Sequence, residues 1–381
     1  MLIAANGIAE AATVRALHLP DGYTIRPEAE RKAVVVARDG SVFAIASVID
    51  ERSNLRAIAI RWRDSDAADT FEPLDLFGGH DKLRGPGPDA VAASMFDSAF
   101  MTVGQVADGA TIRMYYRVQH WSATSTTTWK NPPCGESRFT GTYILGIDNE
   151  GRIAVTFDPS YESAGIDLEN PASVRDNLPI AVIVQKQKCT VLGNAILMAV
   201  DGKFAAGYLG FLDGKAAPAS VDVMVQKMVA FRWIGKKQIT LGAGVPYAIS
   251  RTGLTAGASA LPGHAKEVVY GNMLGPAGRY GYAHPHATAW LPNGREVRLV
   301  RNDERSSAWD VSEDGTIVGM EQLKDGKHYA FRWKNGRLER LDDLPHPRGW
   351  RFESAYAIAH DGSIVGIGTY NGVATAFVWS E

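Results

Sequence analysis

A short pattern recurs along the whole chain: an alternating strand, an Asp-Gly turn or a relative of it, a second strand, a loop, and a third strand of the form Ala-x-x-Trp. The last copy is the plainest. Residues 355–368 read Ala-Tyr-Ala-Ile-Ala-His-Asp-Gly-Ser-Ile-Val-Gly-Ile-Gly, and Ala376-Phe377-Val378-Trp379 follow a short polar link. Asp-Gly between alternating apolar runs is a hairpin signal, because Asp, Asn and Gly tolerate the positive φ that tight hairpins need.

Earlier copies carry the same marks. Asp39-Gly40 is followed by Trp62, Asp201-Gly202 by Trp233, Thr252-Gly253 by Trp290 and Asp314-Gly315 by Trp333. The second copy is degenerate, with Asp97-Ser98 and then Trp121; the third has Asn149 to Gly151 and places Val184 where Trp should be. The turns fall at 40, 98, 151, 202, 253, 315 and 362. A period of about 50 residues built from short strands points to a β-propeller rather than a helical solenoid. No segment sustains a 3.6-residue apolar period, so almost no helix is expected.

A fourth alternating segment follows the Trp position, at 71–76, 238–241, 296–300 and 338–344. Each unit is thus predicted to be a four-stranded antiparallel meander. The seventh unit stops at Trp379-Ser380-Glu381, whereas residues 12–20 resemble the stretch from Leu338 to Pro345. The expected fold is all-β: a single seven-bladed propeller spanning residues 1–381. Residues 12–19 would complete the last blade and cover an edge that otherwise invites aggregation.

The inner strand, Asp-Gly turn, Ile-Val-Gly, (His/Tyr)-Ala-Phe-x-Trp, x-Asn-Gly and Leu-rich outer strand together resemble the HAF repeat. The pattern is clearest from Asp314 to Leu344 and from Asp361 to Trp379, and fair from Asp39 to Leu76 and from Asp201 to Leu241. The second and third units depart from it. The resemblance implies an extracellular bacterial protein and no single activity.

Composition narrows the classes. A net charge of −2 gives no basic field for nucleic acid. No apolar run approaches the ~18 residues of a membrane span. The first ten residues lack a basic segment, so no signal peptide is expected in this chain; an extracellular or particle-surface setting is favoured. The two cysteines, Cys134 and Cys189, allow a disulfide in an oxidising compartment or two free thiols in a reducing one.

In such a meander, two sets of turns emerge at one end of the sheets and are tight here. The other set holds the long connections, at about 157–179, 209–228 and 259–285, with further ones at 77–90, 300–307 and 344–354. Binding residues sit on loops above a rigid scaffold, so that end is the expected working face. Its binding candidates are His80, Arg84, Tyr161, Tyr270, Arg305, Arg348, Trp350 and Arg351. Aromatic rings with Arg and carboxylates suit a carbohydrate or protein partner. The leading reading is a non-enzymatic recognition module, with a place in a larger assembly such as a phage particle. The alternative is a polysaccharide lyase or glycoside hydrolase using His264, Arg279, Tyr280, Tyr282, His284 and Arg301, in which Tyr or His abstracts a proton beside a carboxylate that Arg neutralises.

Other motifs read as structural. His286 aligns with Tyr329 at the start of the third strand. The Trp column fits the gaps between blades. Arg61, Arg232 and Arg332, each preceding a Trp, are expected to pair with carboxylates on the opposite blade surface. No metal or cofactor is implied.

Overall fold

The computed structural model describes backbone and side chains for most of 146–157, 178–211, 227–260, 284–301 and 304–381, and for 12–19, 34–36, 42, 44 and 62. For other strands, mostly N-terminal to these, it describes the backbone course. The described strands form five four-stranded sheets, two five-stranded sheets and two two-stranded ribbons. Every pairing is antiparallel, and each large sheet corresponds to one sequence unit. Among the described residues the helical structure is a single 3-10 turn at Leu341–Asp343.

The final sheet runs Trp350–Ile358, Ile364–Tyr370, Val373–Ser380, and its fourth strand is Thr13–Leu17 from the other end of the chain. Val14 lies opposite Trp379 and Leu17 opposite Ala376. Leu17 is buried, and the carbonyl of His18 accepts a 2.9 Å hydrogen bond from the Trp62 indole of the first unit.

One irregularity recurs on the innermost strands. The register slips between Ile144 and Gly146, Leu197 and Ala199, Pro246 and Ala248, Ala308 and Asp310, and Ala355 and Ala357. Such a bulge inserts one residue and turns it out of the ladder. In the last four sheets that residue is Met198, Tyr247, Trp309 or Tyr356, all buried in one apolar cluster with residues of the first unit. The Trp309 ring packs 4.8 Å from Tyr247 and 5.7 Å from Tyr356. Large side chains therefore fill the place where these sheets converge.

The bulge explains the glycine of Ile-Val-Gly. Gly319 and Gly366 stand on the second strand, opposite the residue before the bulge. A Cβ there would lie 2.1 Å from the Ser307 carbonyl oxygen and 2.0 Å from that of Ser354, so the backbones can approach only without a side chain.

Trp62, Trp233, Trp290 and Trp379 are fully buried. Trp379 packs with Val318, Ala330 and Leu341 of the preceding sheet, and Trp290 with Ala230 and Leu241 of its own predecessor. The column is inter-sheet core, each ring worth on the order of 3 kcal/mol or more.

Of the arginines before the Trp, Arg332 follows expectation. It binds Glu339 at 2.8 Å and Glu381, and sits 5.2 Å over the Trp379 ring. Arg232 does not. It is 2% exposed and donates to the backbone carbonyls of Gly253 (2.7 Å), Leu291 (3.0 Å) and Pro292 (2.7 Å) in the next sheet. Two adjacent turns of the fifth sheet aim carbonyls there, and these replace the expected carboxylate. The side chain of Arg61 lies outside the described residues.

Candidate functional site

The sheet ends differ in chemistry. At the tight-turn end, charges are closed into structure. Asp148 is buried and takes hydrogen bonds from the backbone N–H of Glu150 (2.9 Å) and Arg152 (2.8 Å), and from the Arg152 guanidinium. Burial pushes its carboxyl up against the pull of those donors. Arg251 of the fifth sheet reaches Asp201 (3.3 Å), Glu150 (3.4 Å) and Glu313 (3.8 Å), tying together four consecutive units. Burial, with Asp148 and Glu313 nearby, pushes Asp201 up to about 6 in spite of Arg251.

At the other end, long connections leave the second to fifth units. The second and fifth carry two-stranded ribbons, Val106–Asp108 with Thr111–Arg113 and Val268–Tyr270 with Tyr280–Tyr282. Tyr270 lies opposite Tyr280 in register, so three of the tyrosine candidates share one ribbon. In the sixth and seventh units the same connections are short: 323–327, and the Asn371-Gly372 turn with φ of 50° and 81°.

Those short turns expose a mixed cluster at the seam of the last two sheets. Arg305 precedes the inner strand Ser306–Val311, His328 opens the third strand of the same sheet, and Arg351 and Glu353 lie early on Trp350–Ile358. The Gln322 amide donates 2.7 Å to the Arg305 carbonyl, which holds the segment to the sheet end. Arg351 binds Glu353 through one terminal nitrogen. The His328 imidazole is pulled below its usual range, first by partial burial, with Arg305 and Arg351 adding to the effect and Glu353 opposing it. Exposed Tyr370 and Val373 flank the Asn371-Gly372 turn beside Gly349.

Glu353 itself sits at a second bulge, where the register slips between Phe352 and Ser354. Its charge raises the pKa of both Tyr356 and His328. Burial pushes Tyr356 up to about 12. The Ser354 hydroxyl beside that phenol opposes the effect of burial, and Arg351 Nε is closed to solvent with no hydrogen-bond partner among the described residues.

The structure sorts the sequence candidates. Arg305 and Arg351 meet in this cluster, with exposed Arg348 on the segment just before Trp350. Trp350 is corrected: it is buried, stacked on Phe352 at 5.7 Å and tilted against Tyr370, so it supports the surface rather than presenting a ring to it. Arg301 is exposed and His284 half-buried ahead of Pro285–Trp290. His286 is fully buried on that strand. Tyr270, Tyr280 and Tyr282 are placed by backbone alone. His80, Arg84, Tyr161, His264 and Arg279 lie outside the described residues.

Glu353 is one of the loop-face carboxylates that the sequence offered, and His328 is an addition that the sequence reading missed. The signal was present: aligning Tyr329 with His286 puts His328 one place earlier, at the sheet end where Arg305 begins. Cys189 is disulfide-bonded, and the sequence has one other cysteine, Cys134, which lies outside the described residues. Among the described residues no group of three His, Cys, Asp or Glu side chains could hold a metal ion, and no helix is long and apolar enough to cross a membrane.

No protein-family model matches the chain, and no curated protein sequence matches it. Solved structures do. The β-propeller domain of the Trilobed protease from Pyrococcus furiosus superposes with a TM-score of 0.54 at 8% identity, covering 97% of this chain and 96% of that one. Pyrococcus horikoshii acylaminoacyl peptidase gives a TM-score of 0.55 at 8% identity, over 92% of this chain and 52% of that one. The chain thus spans about half the length of that peptidase. The fold is a β-propeller; likeness at this identity shows the fold alone.

Proposed function

We propose that the chain is one seven-bladed propeller, its last blade completed by residues 12–19, acting as a recognition module for a carbohydrate or protein partner. The binding face is the end bearing the long connections. The observation that carries this reading is the contrast in partners between the two ends. At the tight-turn end Asp148 is buried and held by three donor groups, and buried Arg232 donates through its terminal nitrogens to carbonyls of the next sheet. At the loop end Arg305, His328 and the Tyr370–Val373 hairpin stand exposed around half-buried Arg351 and Glu353. Charge beside apolar and aromatic surface is the make-up of a recognition patch.

A propeller that is a domain of one protein and about half of another fits a component of a larger assembly. A disulfide at Cys189 suits an oxidising setting such as the cell exterior.

The test is a glycan array and a panel of surface proteins probed with the full chain and with Tyr370→Ala/Val373→Asp. Binding that the paired substitution abolishes supports the reading. Binding that survives it, or no binding at all, contradicts it.

One observation favours catalysis as a second reading. An imidazole held neutral beside two guanidinium groups is a base next to a charge-neutralising pair, which a lyase acting on an acidic polysaccharide needs. Ultraviolet absorbance of unsaturated uronates, released by the wild type and lost in His328→Gln, would establish it; silence across acidic polysaccharides would remove it.

A further inference from the structure

We infer that the disulfide at Cys189 is a redox-sensitive lock between the second and third units, standing where the Trp column is broken. Every other unit has Trp near the end of its third strand; in the third unit that position is Val184. The pairing bears out the equivalence. Ile153 lies opposite Val184 as Ile317 lies opposite Trp333 and Ile364 opposite Trp379. Three rings of the column pack against the preceding sheet: Trp233 on Ala154 and Ala181, Trp290 on Ala230 and Leu241, and Trp379 on Val318 and Leu341. Val184 is equally buried, yet the described apolar cluster around it, with Ile153, Val155, Phe157 and Val182, belongs to its own sheet. No ring projects from this position toward the second unit.

Cys189 stands at the same level. It pairs directly with Val184, as Leu338 pairs with Trp333 and Val14 with Trp379. Residues directly opposite in an antiparallel pair project from the same face of the sheet. The Cys189 side chain therefore leaves the face that turns Trp toward the preceding unit in the other sheets, and it packs with the Val184 cluster. Cys189 is bonded, and the sequence offers it one partner, Cys134. In chain order Cys134 falls between Thr126–Trp129, the second unit's outer strand, and Gly141–Ile147, the third unit's inner strand. The bond ties the exit of the second unit to the outer strand of the third.

A small aliphatic side chain makes fewer dispersion contacts than an indole in the same gap. A disulfide compensates by restricting the unfolded chain, and more so the longer the loop it closes. The loop from 134 to 189 takes in three strands, Gly141–Ile147, Ile153–Asp158 and Ile180–Gln185. The third unit thus depends on a bond that redox chemistry can open, whereas its neighbours depend on rings. Opening takes a dithiol. One thiolate attacks a cysteine sulfur and breaks the S–S bond, and the second thiol displaces that cysteine from the mixed disulfide. Both cysteines leave as thiols, having gained two electrons and two protons, and the dithiol is left as a disulfide.

The lock holds or fails independently of what the loop end binds. Hydrogen exchange of the full chain, followed by mass spectrometry before and after dithiothreitol, tests it. Reduction is expected to speed exchange in Ile180–Gln185 and Lys188–Asn194 on the order of tenfold, to leave His328–Lys334 and Val373–Ser380 unchanged, and to lower the melting temperature by about 5 °C. Cys134→Ser/Cys189→Ser should behave as the reduced chain does. Cys134→Ser/Cys189→Leu/Val184→Trp, which rebuilds the Trp–Leu pair of the sixth unit, should exchange in reductant as slowly as the oxidised wild type. Alkylation of both thiols in the unreduced folded chain, exchange in the third unit that reduction leaves unchanged, or acceleration shared equally by the sixth and seventh units overturns the lock. Exchange in the rebuilt variant as fast as in the serine variant would show that the bond does not take the place of the Trp.

Discussion

Arg251 and Arg351 are both arginines near the end of an inner strand, yet they serve opposite ends of the sheets. Arg251 touches three carboxylates from three other units and closes the tight-turn end. Arg351 has one carboxylate partner, Glu353 of the same strand. Turn length does not account for the difference, because the connections beside Arg351, at 323–327 and 371–372, are short as well. Arg251 lies among carboxylates of neighbouring units, whereas the one carboxylate that Arg351 binds stands on its own strand. One end holds the sheets in place, and the other leaves chemistry unspent.

That contrast can be broken by substitution, and the largest effects belong at the tight-turn end. Arg232→Leu removes three charge-assisted hydrogen bonds to carbonyls of the fifth sheet and should cost about 3 kcal/mol in urea unfolding. Asp148→Ala, which leaves two turn amides and Arg152 without their acceptor, should cost about 2 kcal/mol by the same measurement.

Asp201 tests the same end through pH. An acid whose folded pKa lies above its unfolded value holds its proton more tightly when folded. Its contribution to stability is therefore fully present below about pH 4 and lost as pH rises through about 6. The change is on the order of 2 kcal/mol, and Asp201→Asn should flatten that limb of the stability curve. Asp314, at the same turn position one unit beyond Thr252-Gly253, behaves oppositely. Hydrogen bonds from Ser312 and Thr316 hold it at about 2, so its contribution is present above about pH 4 and disappears as pH falls through 2.

Effects on folding should be small at the loop end. Arg351→Ala exchanges a half-exposed ion pair and should shift stability by about 1 kcal/mol or less while removing ligand binding. Val373→Asp, at a position 66% exposed, should shift it by about 0.5 kcal/mol or less, within the error of most melts, yet disturb binding across the hairpin. A loss of several kcal/mol in either case would show that this end is structural too.

Much of the scaffold was legible because it rests on local chemistry. Asp361-Gly362, the alternation around it and the spare strand at 12–20 each state a hairpin or a pairing within a few residues, and Val14 does lie beside Trp379. The Trp column was legible because it repeats. What escaped depends on contacts between distant residues. Arg251 meets Glu150 across 101 positions, and Arg232 finds carbonyls 59 and 60 positions away. The inner-strand bulge left its trace in Gly319 and Gly366, but a glycine after Ile-Val does not announce which carbonyl approaches it. Trp350 misled because an aromatic between two arginines in a loop-like stretch reads as exposed, whereas the strand it begins turns it onto Phe352. His328 was hidden inside the repeat motif itself.

The most direct measurement compares two variants of matched charge change, Arg305→Glu/Arg351→Glu at the loop end and Arg152→Glu/Arg251→Glu at the tight-turn end, for melting temperature and for binding to whichever array ligand the wild type takes. The account predicts a split: the first pair melts within a few degrees of wild type and does not bind, and the second melts far lower yet, held below its transition, binds as wild type does. Binding lost only in the tight-turn pair, or equal destabilisation of both, would contradict it.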